Sequence, residues 1–171
     1  MKQRNFLITY LLLLAAQILI CNYLRISQYV FLTLLPVMVL CIPVRHSTIT
    51  TMIIAFITGL CVDFLADGVP GLNTVALVAV AFARNEIISL VFGSEVFARK
   101  DNISKEKHGP AKMSSAIILS LSLFLIIYIC FDGAASRPLW FNLVRFAASL
   151  LASYVLSIIV SGPLTDERQS R

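Results

Sequence analysis

Gly59-Leu60-Cys61-Val62-Asp63-Phe64-Leu65-Ala66-Asp67-Gly68-Val69-Pro70-Gly71-Leu72-Asn73 is where an uncharged run beginning at Ile49 meets a carboxylate and then a turn. An ionisable group at the end of an apolar run of membrane-spanning length is costly, so Asp63 needs a partner or a task. The Asp67-Gly68-x-Pro70-Gly71 that follows supplies the residues of a tight reversal. The run before the turn and the run after it read as consecutive membrane helices.

The rest of the chain repeats this pattern. Of the 171 residues 58% are hydrophobic and 13% charged, and the mean hydropathy is +0.88. A soluble domain carries about a quarter charged residues, so the composition points to an integral membrane protein. The expected fold is an all-α bundle of six transmembrane helices in one domain, over residues 6–23, 29–44, 49–65, 72–92, 113–131 and 141–160. The second segment is short and holds Pro36 and Pro43, which predict a kink or tilt. Arg84-Asn85-Glu86 interrupts the fourth. Its membrane portion is expected to end there, with Arg84 and Glu86 at the cytoplasmic boundary and 87–97 running along the interface.

The N-terminus imitates a secretory signal but has no small-residue cleavage pattern, so the first segment is expected to stay as a helix. With both termini in the cytoplasm, the inside receives Lys2, Arg4, Arg45, Arg99, Lys100, Lys105, Lys107, Lys112, Arg168 and Arg171, against Arg25 and Arg137 outside. That asymmetry sets the orientation. The net charge of +5 is therefore read as cytoplasmic anchoring and not as nucleic-acid binding. Within the polar loop 93–112, Arg99, Lys100, Lys105, Lys107 and Lys112 are candidates for docking a cytoplasmic partner or anionic lipid, beside their plain topogenic use.

Two stripes of small residues recur at intervals of four. Thr51, Ala55 and Gly59 lead to Asp63; Arg145 leads to Ser149, Ser153, Ser157 and Ser161. Such faces let helix backbones approach closely in lipid. Asp63 and Arg145 would differ in depth by about 3 Å at 1.5 Å per residue. The pattern predicts an ion pair between them, at the outer end of a seam between the third and sixth helices.

No catalytic constellation is legible: there is no second deep aspartate, no Gly-x-Ser-x-Gly and no His-Glu-x-x-His. Cys21, Cys41, Cys61 and Cys130 lie in or beside apolar runs without metal-ligand spacing. Neither an enzyme nor a bound metal or cofactor is expected.

Gly59-x-x-x-Asp63, the turn through Asp67, Gly68, Pro70 and Gly71, and Leu72-Asn73 opening the next span resemble the rod-shape-determining membrane protein family MreD. The length, span layout and short C-terminal tail extend the similarity over the chain. The resemblance implies a non-enzymatic component of the bacterial cell-wall elongation machinery in the cytoplasmic membrane. Its implied partners are an MreC-like protein, RodA with its class B penicillin-binding protein, and, indirectly, MreB filaments. It also implies a bundle similar to the S-component of energy-coupling-factor vitamin transporters, which makes vitamin capture the alternative function. A vitamin site needs a concave polar pocket, and the short outer loops offer few groups for one, among them Asn22, Asn73, Asp132, Trp140 and Asn142.

Overall fold

Apolar runs that satisfy their own backbone hydrogen bonds become helices, and the computed structural model consists of them. It describes residues 2–23, 30–44, 46–93, 109–133 and 138–165. The helices are α1 (Lys2–Tyr23), α2 (Leu35–Leu40), α3 (Thr48–Val62), α4 (Leu72–Phe92), α5 (Pro110–Gly133) and α6 (Leu139–Thr165). A single π-helical turn, Asp63–Asp67, extends α3. Five of these helices are long and apolar enough to cross a membrane; α2 is not among them. Their outward faces are apolar, with Leu12, Phe82, Leu90, Leu151 and Ile159 more than 60% exposed, as lipid-facing surfaces require.

α3 packs chiefly on α4, α4 on α5, and α5 on α6, while α1 touches α3, α6 and the π turn more lightly. Polar contacts help to hold α1 against α3 and the π turn. The Tyr10 and Thr58 hydroxyls lie 2.9 Å apart, and Asn22 Nδ2 donates to Leu65 O at 3.1 Å.

The stretch expected to be the second helix is different in kind. Residues 31–34 are non-helical, and only the six residues of α2 follow as helix before the chain turns again. Leu34 through Ile42 are buried, and α2 touches every other long helix. Pro36 explains where the helix begins. Its nitrogen has no hydrogen to give Leu32 O, and its ring excludes a regular turn before it. The kink expected from Pro36 is thus a full break.

The fourth helix has the expected bounds. α4 runs unbroken through Arg84-Asn85-Glu86 to Phe92, with Ile88 fully buried. Arg84 is buried, and Asn85 Nδ2 donates to Thr48 Oγ1 at 2.7 Å, so both are engaged within the bundle. Residues 94–97 lie outside the described residues.

Candidate functional site

Asp63 is fully buried, and its carboxylate accepts five hydrogen bonds from the start of α4. Oδ2 accepts from Gly71 N at 2.9 Å, Thr74 N at 3.1 Å and the Thr74 hydroxyl at 2.5 Å. Oδ1 accepts from Asn73 N at 2.9 Å and Asn73 Nδ2 at 3.0 Å. Gly71 is the N-cap residue of α4 and has no side chain to satisfy the free amides of the first turn. Asp63 performs that role from the preceding helix, and its charge also meets the positive end of the α4 dipole.

The π turn and the glycines make this possible. Gly68 N bonds Asp63 O at 2.8 Å and closes the wide turn, with Gly68 at φ 70°. Gly71 enters α4 at φ 105°, a conformation that costs little only for glycine. One turn before Asp63, a Cβ on Gly59 would lie 2.6 Å from Thr74 Cα and 2.9 Å from Thr74 N. Gly59 therefore allows the close approach, and Asp63 bonds the amides it brings within reach. Gly59-x-x-x-Asp63 is a single device for docking the start of one helix against the end of another.

This corrects the expected ion pair. Arg145 pairs through Nη1 with Asp132 Oδ2 and lies over the Tyr128 ring, 5.8 Å from its centroid, while Asp63 is satisfied by α4. The expected seam between the third and sixth helices is not formed either, since the Gly59 end of its stripe meets α4 and α6 packs mainly on α5. Thr51 and Ala55 are buried on α3.

The serine stripe of α6 has another use. Backbone left non-helical inside a bundle must find partners other than water. Phe31 N donates to Ser149 Oγ at 2.8 Å and Thr33 N to Ser153 Oγ at 3.1 Å, and the Ser153 hydroxyl donates to Phe31 O at 3.2 Å. From α1, Gln17 Nε2 donates to Leu32 O at 3.2 Å, and Gln17 Oε1 accepts from Leu34 N at 2.7 Å. Leu32 O is the carbonyl that Pro36 cannot serve. Ser157 is fully buried, with its hydroxyl unpaired among the described residues.

Arg84 closes the other end of the break. It is 1% exposed, and it donates through Nε to Leu40 O at 3.2 Å and through Nη2 to Ile42 O. A guanidinium at the C-terminus of α2 meets both the free carbonyls and the negative end of that helix. Boundary snorkelling, expected for this residue, is overturned by a task inside the bundle. Glu86 is exposed.

Of the turn residues, Gly68 and Pro70 are exposed between the π turn and α4, and the side chain of Asp67 lies outside the described residues. Of the basic candidates, Lys112 is exposed in the first turn of α5, while Arg99, Lys100, Lys105 and Lys107 lie outside the described residues. Sequence reading missed Gln17, Thr33 and Thr74, and the roles of Asn73 and Asp132. Gln17 carried a usable signal as a lone amide in the middle of an apolar helix, which asks for a polar partner.

Comparison with protein-family models, with curated proteins and with solved structures returns no match to this chain.

Proposed function

We propose that this chain is a non-enzymatic scaffold of the bacterial cell-wall elongation complex, similar to MreD. In this reading it maintains cell shape by linking an MreC-like protein, RodA with its class B penicillin-binding partner and, through them, MreB filaments. It sits in the cytoplasmic membrane with both termini inside, and the second apolar segment makes a sixth, discontinuous crossing, giving a bundle like that of the energy-coupling-factor S-components.

The observation that carries the reading is the Gly59–Asp63 device. The stretch on which the resemblance rests is a structural joint between two helices, and a scaffold needs such joints to hold a fixed surface for its partners. Asp63 and Arg84 bind helix ends, a use that suits architecture better than transport or catalysis. Lipid-facing helix surfaces are then the places where a partner's single span docks.

The test is purification of the tagged protein from its native membrane in a mild detergent. An MreC-like bitopic protein and a class B penicillin-binding protein should co-purify, and depletion should round the cells. A retained vitamin together with a transporter ATPase would replace this reading with vitamin capture.

A further inference from the structure

The two charges in the second half of α4 have opposite fates. Arg84 is buried and serves the end of α2, and beside it Asn85 Nδ2 bonds Thr48 Oγ1 at 2.7 Å. These bonds fix the rotation of the helix and leave Glu86 exposed on its outer side. Phe82 and Leu90, one turn to either side on the same face, are 68% and 78% exposed, and Val75 continues the stripe at 45%. This is an apolar, lipid-type face with a carboxylate set in it.

Glu86 lies about 21 Å along α4 from Leu72 and about 9 Å before Phe92, at 1.5 Å per residue. A helix of this length fills a hydrocarbon core of about 30 Å, so the carboxylate sits inside the inner edge, with Leu90 beyond it. Among the described residues the only ion pair joins Arg145 and Asp132, and Glu86 has no counter-charge. A charge left in this way on a membrane helix is costly and asks for a partner.

The sign of the charge selects the occupant. The inner leaflet is anionic and repels a carboxylate, so a lipid head group does not complete this face. A second copy has no cation to offer at this depth among the described residues, since Arg84 and Arg145 are buried and Lys112 stands in the first turn of α5. Other membrane proteins do have one, because the positive-inside bias leaves lysine and arginine at the cytoplasmic ends of single spans. Ala79 and Ala83, half-buried beside Phe82, let a helix backbone come close.

We propose that the α4 face carrying Val75, Phe82, Glu86 and Leu90 docks the single transmembrane helix of a bitopic protein, through a lysine or arginine that pairs with Glu86. That cation lies between one and two turns inside the cytoplasmic end of the partner's span. The proposal takes its orientation from the scaffold reading and specifies where a single-span partner sits.

The experiment places a benzophenone amino acid at position 90 of the full chain, in phosphatidylcholine bicelles. The probe is a synthetic leucine–alanine helix of spanning length with one lysine about six residues from its end. Irradiation should give a saturable adduct with this helix and about tenfold less with a copy that has leucine for the lysine. Glu86→Gln should bring the lysine helix down to the leucine level. Glu86→Lys should refuse the lysine helix and capture one bearing glutamate instead. Equal adducts with both helices, or unchanged capture by Glu86→Gln, would overturn the site. So would equal capture with the benzophenone at position 155, on the open face of α6. An adduct between two copies of the chain that excludes the lysine helix would overturn the basic partner in favour of a second copy. Capture of the lysine helix without any co-purifying MreC-like protein would keep this face and remove the scaffold reading. Co-purification that Glu86→Lys leaves unchanged would keep the scaffold and remove the face.

Discussion

Thr74 donates to Asp63 Oδ2 twice, through its backbone N–H at 3.1 Å and its hydroxyl at 2.5 Å. The same residue is the one a Cβ on Gly59 would strike. The closest approach of α3 to α4 and the anchoring of that approach thus converge on one residue of the α4 first turn.

Asp63→Asn should be strongly destabilising. The amide keeps one acceptor and turns a donor toward the α4 amides, stranding buried N–H groups at a cost of about 3 kcal/mol. Thermal unfolding in detergent reads the loss, and a variant as stable as the parent would remove the capping role.

Gly59→Ala should be damaging although alanine is the better helix former. The methyl group would lie 2.6 Å from backbone, so α4 must move as a unit, at about 1–3 kcal/mol. Gly59→Ala and Asp63→Asn should also be less than additive, because both open the same joint.

The charge-reversed pair Asp132→Arg with Arg145→Asp should recover part of the stability lost in the single variants. The pair Asp63→Arg with Arg145→Asp should not, because Asp63 serves amides and not a cation. Rescue of the second pair and not the first, in the same unfolding assay, would contradict the observed pairing.

Gln17→Leu should loosen the break in the second segment more than it perturbs α1. It strands Leu32 O and Leu34 N, at about 1–3 kcal/mol for each buried group. Hydrogen exchange should quicken at Leu34 while the amides of α3 keep their protection. Ser153→Ala should act on Thr33 N in the same way.

Arg84→Lys should destabilise although the charge is kept. A lysine ammonium has no planar fork to serve the Leu40 and Ile42 carbonyls together, and the loss should be about 2 kcal/mol. Unchanged stability would mean that charge at the end of α2 is sufficient.

Most of the helices were legible because hydropathy and length are local properties, summed over each run. The buried stripes were also legible: Gly59, Asp63, Ser149, Ser153 and Ser157 are all interior, as four-residue spacing implied. Their partners were not. Asp63 and Arg145 matched in estimated depth and sign, and that argument assumed that a charge seeks a charge. Inside the bundle the free amides of α4 were nearer and equally able to satisfy a carboxylate. The second segment misled for a related reason, since an apolar run does not say whether its backbone bonds to itself or to neighbouring side chains.

By itself the sequence determined a chain of apolar helices, with a turn after Asp63 and glycine where the backbone turns left-handed. Only the tertiary structure decided that Asp63 caps α4, that Arg84 caps α2, and that Gln17 and the serines of α6 support the backbone Pro36 breaks. The reason is physical. Local propensity and hydropathy act along the chain, but a buried polar group is satisfied by whichever donor or acceptor the packing brings within 3 Å or so. That proximity belongs to the assembled bundle and to no segment of it.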